Sequence, residues 1–170
     1  LPVHLDPALE LGEIFVVQRG AFERARHLDP MPMAGGDACV AEPLRLAAGV
    51  LRARGIQLPG MEAVCEMLEK DVNVHYTCGM GRLFDAAAAI AGLCTRPSYE
   101  GQGPMMLEAA ADGVRGAGAY AHEGMDPGVV LEQLYRDRDD TCLRAARFHN
   151  TVVAMTVDAV RETAARTGLD

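Results

Sequence analysis

The chain is poor in lysine, in paired cysteines, in basic charge and in long apolar runs, and each shortage closes a class of function. Lys70 is the only lysine beside fifteen arginines. A lysine nucleophile, a Schiff base or a phosphate-loop lysine is therefore excluded at every other position. The five cysteines, Cys39, Cys65, Cys78, Cys94 and Cys142, are odd in number and contain no C-x-x-C pair. A disulfide framework is excluded, and a reduced, cytoplasmic chain is expected. The longest uncharged apolar run, Ala86 to Cys94, has nine residues, under half of what spans a bilayer. No membrane partner is expected. Lys and Arg total 16 against 24 Asp and Glu, a net charge of -8. An acidic surface repels a phosphate backbone, so nucleic acid is not expected as a partner either.

Leu, Ile, Val and Phe supply 39 of the 170 residues and Ala another 27, enough apolar surface to fold and too evenly cut by charge for anything fibrous. One domain covering residues 1–170 is expected. The chain opens on Leu1 without a basic and then apolar leader, and is expected to be a segment of a larger multidomain enzyme.

The runs Ile14-Phe15-Val16-Val17 and Phe22 to Leu28, around Arg19-Gly20, predict a β-hairpin over about 12–28, the only sheet legible in the pattern. Asp29-Pro30-Met31-Pro32-Met33 followed by Gly35-Gly36-Asp37 is expected to be a loop, because prolines and glycines punctuate it. Six helices are expected over about 38–167. The first runs from about Ala41 to Arg54 on Leu44, Ala47, Ala48 and Leu51. The second carries Met61, Val64, Cys65 and Leu68, and the third carries Met80, Phe84, Ala87 and Ala91 and closes at Gly92. The fourth opens on Pro104, and the fifth on the Asp126-Pro127 cap. The last and longest starts at Asp140 or Thr141, lines one face with Ala146, Val153, Val157, Val160 and Ala164, and ends before Gly168. The Gly113 to Gly118 stretch is expected to be a mobile linker. The fold class is α+β, mostly helical.

No histidine among His4, His27, His75, His122 and His149 has a second ligand at the spacing that places two on one helix face. His122-Glu123 and His4-x-Asp6 are the best local pairs, and both suit surface residues as well. No metal ligand set is expected. Cys78 beside Gly79 could be a thiol activated by a helix start, or a small half-buried residue in a turn.

The segment Thr77-Cys78-Gly79-Met80-Gly81-Arg82-Leu83-Phe84-Asp85 carries the most information. Its glycines permit close backbone approach, its helix start offers N–H groups, and Asp85 lies one turn further on. Arg82 could fork onto a phosphate and Asp85 could accept from ribose hydroxyls. The same residues suit a glycine-capped packed helix with a surface Arg–Asp pair. Ser98-Tyr99-Glu100-Gly101-Gln102-Gly103-Pro104 is a second glycine-bearing loop feeding a helix. The two loops could form two sides of a cleft, or simply start their helices.

Together these strings resemble the HypF-type hydrogenase maturation carbamoyltransferases. Gly81-Arg82-Leu83-Phe84-Asp85-Ala86, Gly92-Leu93, Tyr99-Glu100-Gly101-Gln102 and Leu107-Glu108 are similar to that family's G-R-L-F-D-A, Gly-Leu, Y-E-G-Q and Leu-Glu motifs. Gly35-Gly36-Asp37-Ala38, Glu42-Pro43-x-Arg45 and Arg147-Phe148-His149-Asn150-Thr151 resemble its G-G-D-A, E-P-x-R and R-F-H-N-T stretches. Cys78-Gly79 stands where the family has Ser-Ser.

The resemblance implies the second lobe of a catalytic domain with a split actin-like fold, related to the tRNA threonylcarbamoyladenosine ATPases. It implies an enzyme that uses carbamoyl phosphate and ATP to make carbamoyl adenylate, then carbamoylates the C-terminal cysteine of a hydrogenase maturation protein. It implies that Gly81, Arg82, Asp85, Glu100 and Gly101 contact the nucleotide, no catalytic residue being assigned. The metal-bearing lobe and the other domains would lie outside these residues, so the segment alone is expected to be inactive. The competing expectation is a catalytically silent helical module that docks onto another lobe or protein.

Overall fold

Alternating β-prone residues on either side of Arg19-Gly20 pair as expected. In the computed structural model, which describes residues 12–169, β1 (Ile14–Gln18) and β2 (Ala21–Arg26) form an antiparallel hairpin with Val16 opposite Glu23. The pair His4 and Asp6 lies outside the described residues.

A second sheet appears where a loop was expected. Met31–Ala34 forms β3 and pairs antiparallel with β4 (Val74–Thr77), Pro32 standing opposite Tyr76. Each strand has one neighbour only, and on such an edge a proline can turn its missing N–H away from the ladder. Met31 and Ala34, the first and last residues of the strand, are buried, one on each face.

Seven helices follow among the described residues, rather than six. The helix expected from about Ala41 to Arg54 is α2 (Leu44–Arg52), and a short extra helix, α1 (Ala38–Ala41), precedes it. The break is at Glu42, whose φ of -139° and ψ of 80° leave the helical region, as the residue before a proline prefers. Then come α3 (Glu62–Glu69), α4 (Met80–Ile90), α5 (Gln102–Ala111), α6 (Pro127–Arg136) and α7 (Thr141–Thr167). Helix α5 begins two residues before Pro104, which sits within its first turn, where a missing N–H costs nothing. The Asp126 carboxylate accepts from the Gly128 N–H at 2.6 Å, and Asp140 accepts from Cys142 and Leu143 at 2.9 and 3.1 Å. These two side-chain caps start α6 and α7 as their sequence demanded.

Helix α2 packs on β3, α3, α4 and α6, while α5 lies between α4 and α7. Leu28, Met31, Leu46, Leu83, Leu131 and Phe148 are fully buried in the core between them. The Phe84 and Phe148 rings meet edge to face with centroids 5.0 Å apart, which joins α4 to α7.

The face that α7 buries differs from the expected one. Phe148, Thr151, Met155, Ala159 and Thr163 point inward, whereas Val153 is 62% exposed and Val157 and Val160 are exposed as well. Of the expected stripe, Ala146 is buried. Both sets satisfy helical spacing, and the threonines conceal the true one. The Thr151 hydroxyl donates to the Arg147 carbonyl and the Thr163 hydroxyl to the Ala159 carbonyl, each at 2.7 Å. A hydroxyl satisfied within its own helix can enter the core at little cost.

The Gly113 to Gly118 stretch is irregular, but α7 holds its end rather than leaving it a free linker. Arg147 Nε donates to the Ala117 carbonyl at 3.0 Å and Asn150 Nδ2 to the Gly118 carbonyl at 2.7 Å. Just beyond, the Tyr120 hydroxyl donates to Asp137 at 2.8 Å, and Arg147 Nη1 reaches both Asp137 and Asp139 at 2.6 Å. No helix among the described residues is long and apolar enough to cross a membrane.

Candidate functional site

Three glycine-bearing entries to helices meet at one depression. Thr77 ends β4, and its Oγ1 accepts from the Gly79 N–H at 3.0 Å, turning the chain from strand into helix in three residues. Gly79 then stands at the N-cap of α4 in extended conformation, without a side chain to cap the first turn. Five residues into α4, Asp85 is 6% exposed. Arg82, one turn before it, places Nη1 at 3.0 Å from Asp85 Oδ2. That contact is off-line: Nη1 is buried without a directed hydrogen bond to any described group.

The loop into α5 forms the facing side. Gln102 folds back so that its Oε1 accepts from the Ser98 N–H at 2.6 Å and the Ser98 hydroxyl at 3.0 Å. This pins Ser98 to the helix start and presents Tyr99, Glu100 and Gly101 outward. Gly101 has φ +82°, a left-handed conformation that side-chain-bearing residues resist, so glycine is required at this turn. The turn between β3 and α1 completes the frame and contributes Asp37.

The cavity so enclosed has a volume of about 500 Å³, within the range of small-molecule sites. Its lining includes Asp37, Val40, Arg82, Asp85, Tyr99 and Glu100. Of the five residues expected to touch a nucleotide, the fold brings Arg82, Asp85, Glu100 and Gly101 to this cavity. Gly81 is not among its lining residues. It lies in the first turn of α4 with open space where a side chain would project. Of the two arrangements open to Arg82, the structure shows the guanidinium beside Asp85. The reading of the sequence missed Val40, Pro97 and Tyr99 as lining groups. Their only sequence signal was adjacency to the glycine turns.

Charge in the cavity is mostly negative, with Asp37, Asp85 and Glu100 against Arg82. Burial pushes the Asp85 carboxyl above its ordinary range; the Arg82 guanidinium opposes that and the Glu100 carboxylate adds to it. Carboxylates in a half-enclosed pocket suit a ligand that donates hydrogen bonds, such as a diol or an amine.

Cys78 is half-buried just before α4, and Cys39, fully buried, has its thiol pushed up by burial. His122 pairs with Asp158 of α7 at 3.4 Å rather than with its neighbour Glu123. Among the described residues, no three His, Cys, Asp or Glu side chains are grouped to hold a metal ion.

Residues 12–170 match the family described as carbamoyltransferase, Kae1-like domain, second subdomain. The chain belongs to that family. Carbamoyltransferase HypF2 of Cupriavidus necator is 40% identical over 110 residues, 59% of this chain and 14% of the relative. Carbamoyltransferase HypF of Rhizobium leguminosarum bv. viciae is 36% identical over 170 residues, 91% of this chain and 22% of the relative. A crystal structure of full-length HypF in a phosphate- and nucleotide-bound form superposes with a TM-score of 0.79 at 27% identity, over 92% of this chain and 23% of that one. The chain thus spans 14% and 22% of the lengths of these two curated relatives. It is the HypF-type C-terminal subdomain, with the lobe architecture of that fold.

Proposed function

We propose that this subdomain supplies the nucleoside-binding side of a cleft in which ATP and carbamoyl phosphate are converted to carbamoyl adenylate. The carbamoyl group then passes to the C-terminal cysteine of a hydrogenase maturation protein. The observation that carries the reading is the convergence of Asp85 from α4 with Glu100 and Gly101 from the loop before α5 on one cavity of about 500 Å³. A nucleotide-bound form of a HypF relative that shares this fold supports it.

The division of labour follows from charge. A wall bearing Asp37, Asp85 and Glu100 accepts from ribose hydroxyls and disfavours phosphate oxygens, so the triphosphate must be neutralised mainly from outside this wall. Asp85, held in place by Arg82, is the group suited to grip the ribose. In adenylate formation water first cleaves carbamoyl phosphate to carbamate and inorganic phosphate, and a carbamate oxygen then bonds to the α-phosphorus of ATP as pyrophosphate leaves. In the transfer, the partner's thiolate attacks the carbamoyl carbon and AMP leaves. Positioning the nucleoside is what this wall contributes to both steps.

The docking-module alternative is favoured by the exposed Val153, Val157 and Val160 along α7. Carbamoyl-phosphate-dependent ATP hydrolysis by the full-length gene product separates the two. Activity that falls when Asp85 is replaced supports the nucleotide reading. Activity indifferent to Asp85 favours the docking module.

A further inference from the structure

One ion pair links residues that adjoin the cavity lining on both of its sides. Glu42 directly follows the lining residue Ala41, and Arg96 directly precedes the lining residue Pro97. Arg96 Nη2 lies 3.7 Å from Glu42 Oε1, with the Arg96 side chain 81% exposed. Charge-assisted hydrogen bonds close at roughly 2.7–2.9 Å, so this contact is loose and holds the arginine weakly. Glu42 has a second cation beside it, Arg45 Nη1 at 3.8 Å.

The other arginines near the cavity each lie against a group of this chain, although Arg82 Nη1 lacks a directed hydrogen bond. Arg82 is held against Asp85, and Arg45 Nε donates to the Ala34 carbonyl at 3.1 Å. With Asp37, Asp85 and Glu100 lining the space, an approaching phosphate meets repulsion from this wall unless a cation turns toward it. Arg96 has the length, exposure and loose tether to do so.

We propose that Arg96 is the phosphate-reaching residue of this wall, exchanging Glu42 for a phosphoryl oxygen when a nucleotide binds. A guanidinium fits a phosphoryl group with two parallel N–H donors, which a carboxylate at 3.7 Å does not engage. Arg45 makes the exchange inexpensive, because Glu42 keeps a counter-charge after Arg96 leaves. The proposal rests on the nucleotide reading above and adds to it a positioning residue and its resting partner.

A mere strut between the two walls predicts something different from an exchangeable arginine. Adenosine, AMP and ATP are titrated calorimetrically into the full-length gene product and its Arg96→Ala, Arg96→Lys and Glu42→Gln variants. Arg96→Ala weakens ATP and AMP about three- to tenfold and leaves adenosine unchanged, with a shallower salt dependence for ATP. Arg96→Lys recovers part of the loss. Glu42→Gln acts in the opposite direction and tightens ATP and AMP, because the competing carboxylate is gone. A strut weakens all three ligands in both the Arg96→Ala and Glu42→Gln variants, and that result overturns the proposal. An unchanged ATP-to-adenosine affinity ratio in Arg96→Ala overturns it alone, while a parent that binds no adenosine overturns the nucleotide reading and this role together.

Discussion

Gly103 of α5 packs closely against Ala88 of α4, beside Asp85. A β-carbon at position 103 would lie 3.4 Å from Asp85 Oδ1 and 3.2 Å from Ala88 Cβ, so the bare backbone of α5 is what lets the second loop close over α4. Replacing Gly103 by valine forces α5 outward. The expected cost is about 1–3 kcal/mol of stability by overpacking, with a larger proportional loss of nucleotide affinity, measured by denaturant unfolding and calorimetry. A variant of parental stability and affinity would show that the close approach is incidental.

Asp85→Asn keeps the side-chain shape and removes the charge. In the full-length gene product, carbamoyl transfer to the partner thiol is expected to fall about tenfold to a hundredfold, the equivalent of a charge-assisted hydrogen bond pair lost from the cleft. Stability behaves differently. Because the folded carboxyl sits above its ordinary value, ionising it disfavours the fold, so stability is lost as pH rises from the unfolded value through the folded one. The neutral amide escapes that loss. The melting temperature of Asp85→Asn at neutral pH should therefore be no lower than the parent's, and the difference should move in the variant's favour as pH rises. A variant that unfolds instead would mark Asp85 as structural.

Asp137 titrates in the opposite sense. Burial raises its carboxyl, but the Asp139 backbone N–H, the Tyr120 hydroxyl and the Arg147 guanidinium together hold it below the ordinary range. Its contribution is thus present above the ordinary carboxylate pKa and disappears as pH falls through the lower folded value. Asp137→Asn should cost about 1.5–3 kcal/mol near neutral pH, with the gap to the parent closing in acid. Urea unfolding across that range measures it, and a gap independent of pH would contradict the assignment.

The two faces of α7 offer a direct comparison. Phe148→Ala, at a fully buried position stacked on Phe84, should destabilise by about 3–5 kcal/mol. Val153→Ser, on the exposed face, should change the stability of this subdomain by no more than about 0.5 kcal/mol. Similar costs at both sites would mean that the valine face is packed.

Local signals were legible from the residues themselves. The hairpin around Arg19-Gly20, the Asp126 and Asp140 caps and the glycine turns into α4 and α5 all depend on neighbours within a few residues, and the motif strings placed the chain in its family. Strand β3 was not legible, because Pro32 is tolerated only by virtue of β4 arriving from some forty residues away to pair with one edge. The break at Glu42 is written in Pro43, since the residue before a proline avoids the helical region, and the helix on Leu44, Ala47, Ala48 and Leu51 starts after it.

For α7, periodicity alone permitted two faces, and tertiary packing chose the one whose threonine hydroxyls could be satisfied inside the helix. The candidate site divides in the same way. Sequence pointed to the candidate residues, since glycine, aspartate and arginine at helix starts have conformational and hydrogen-bonding properties of their own. Only the tertiary structure decided that Arg82 lies against Asp85, that Arg82, Asp85, Glu100 and Gly101 line one cavity without Gly81, and that Arg96 comes near Glu42. Those facts depend on distances between segments far apart in the chain, which packing sets and local residue preferences do not.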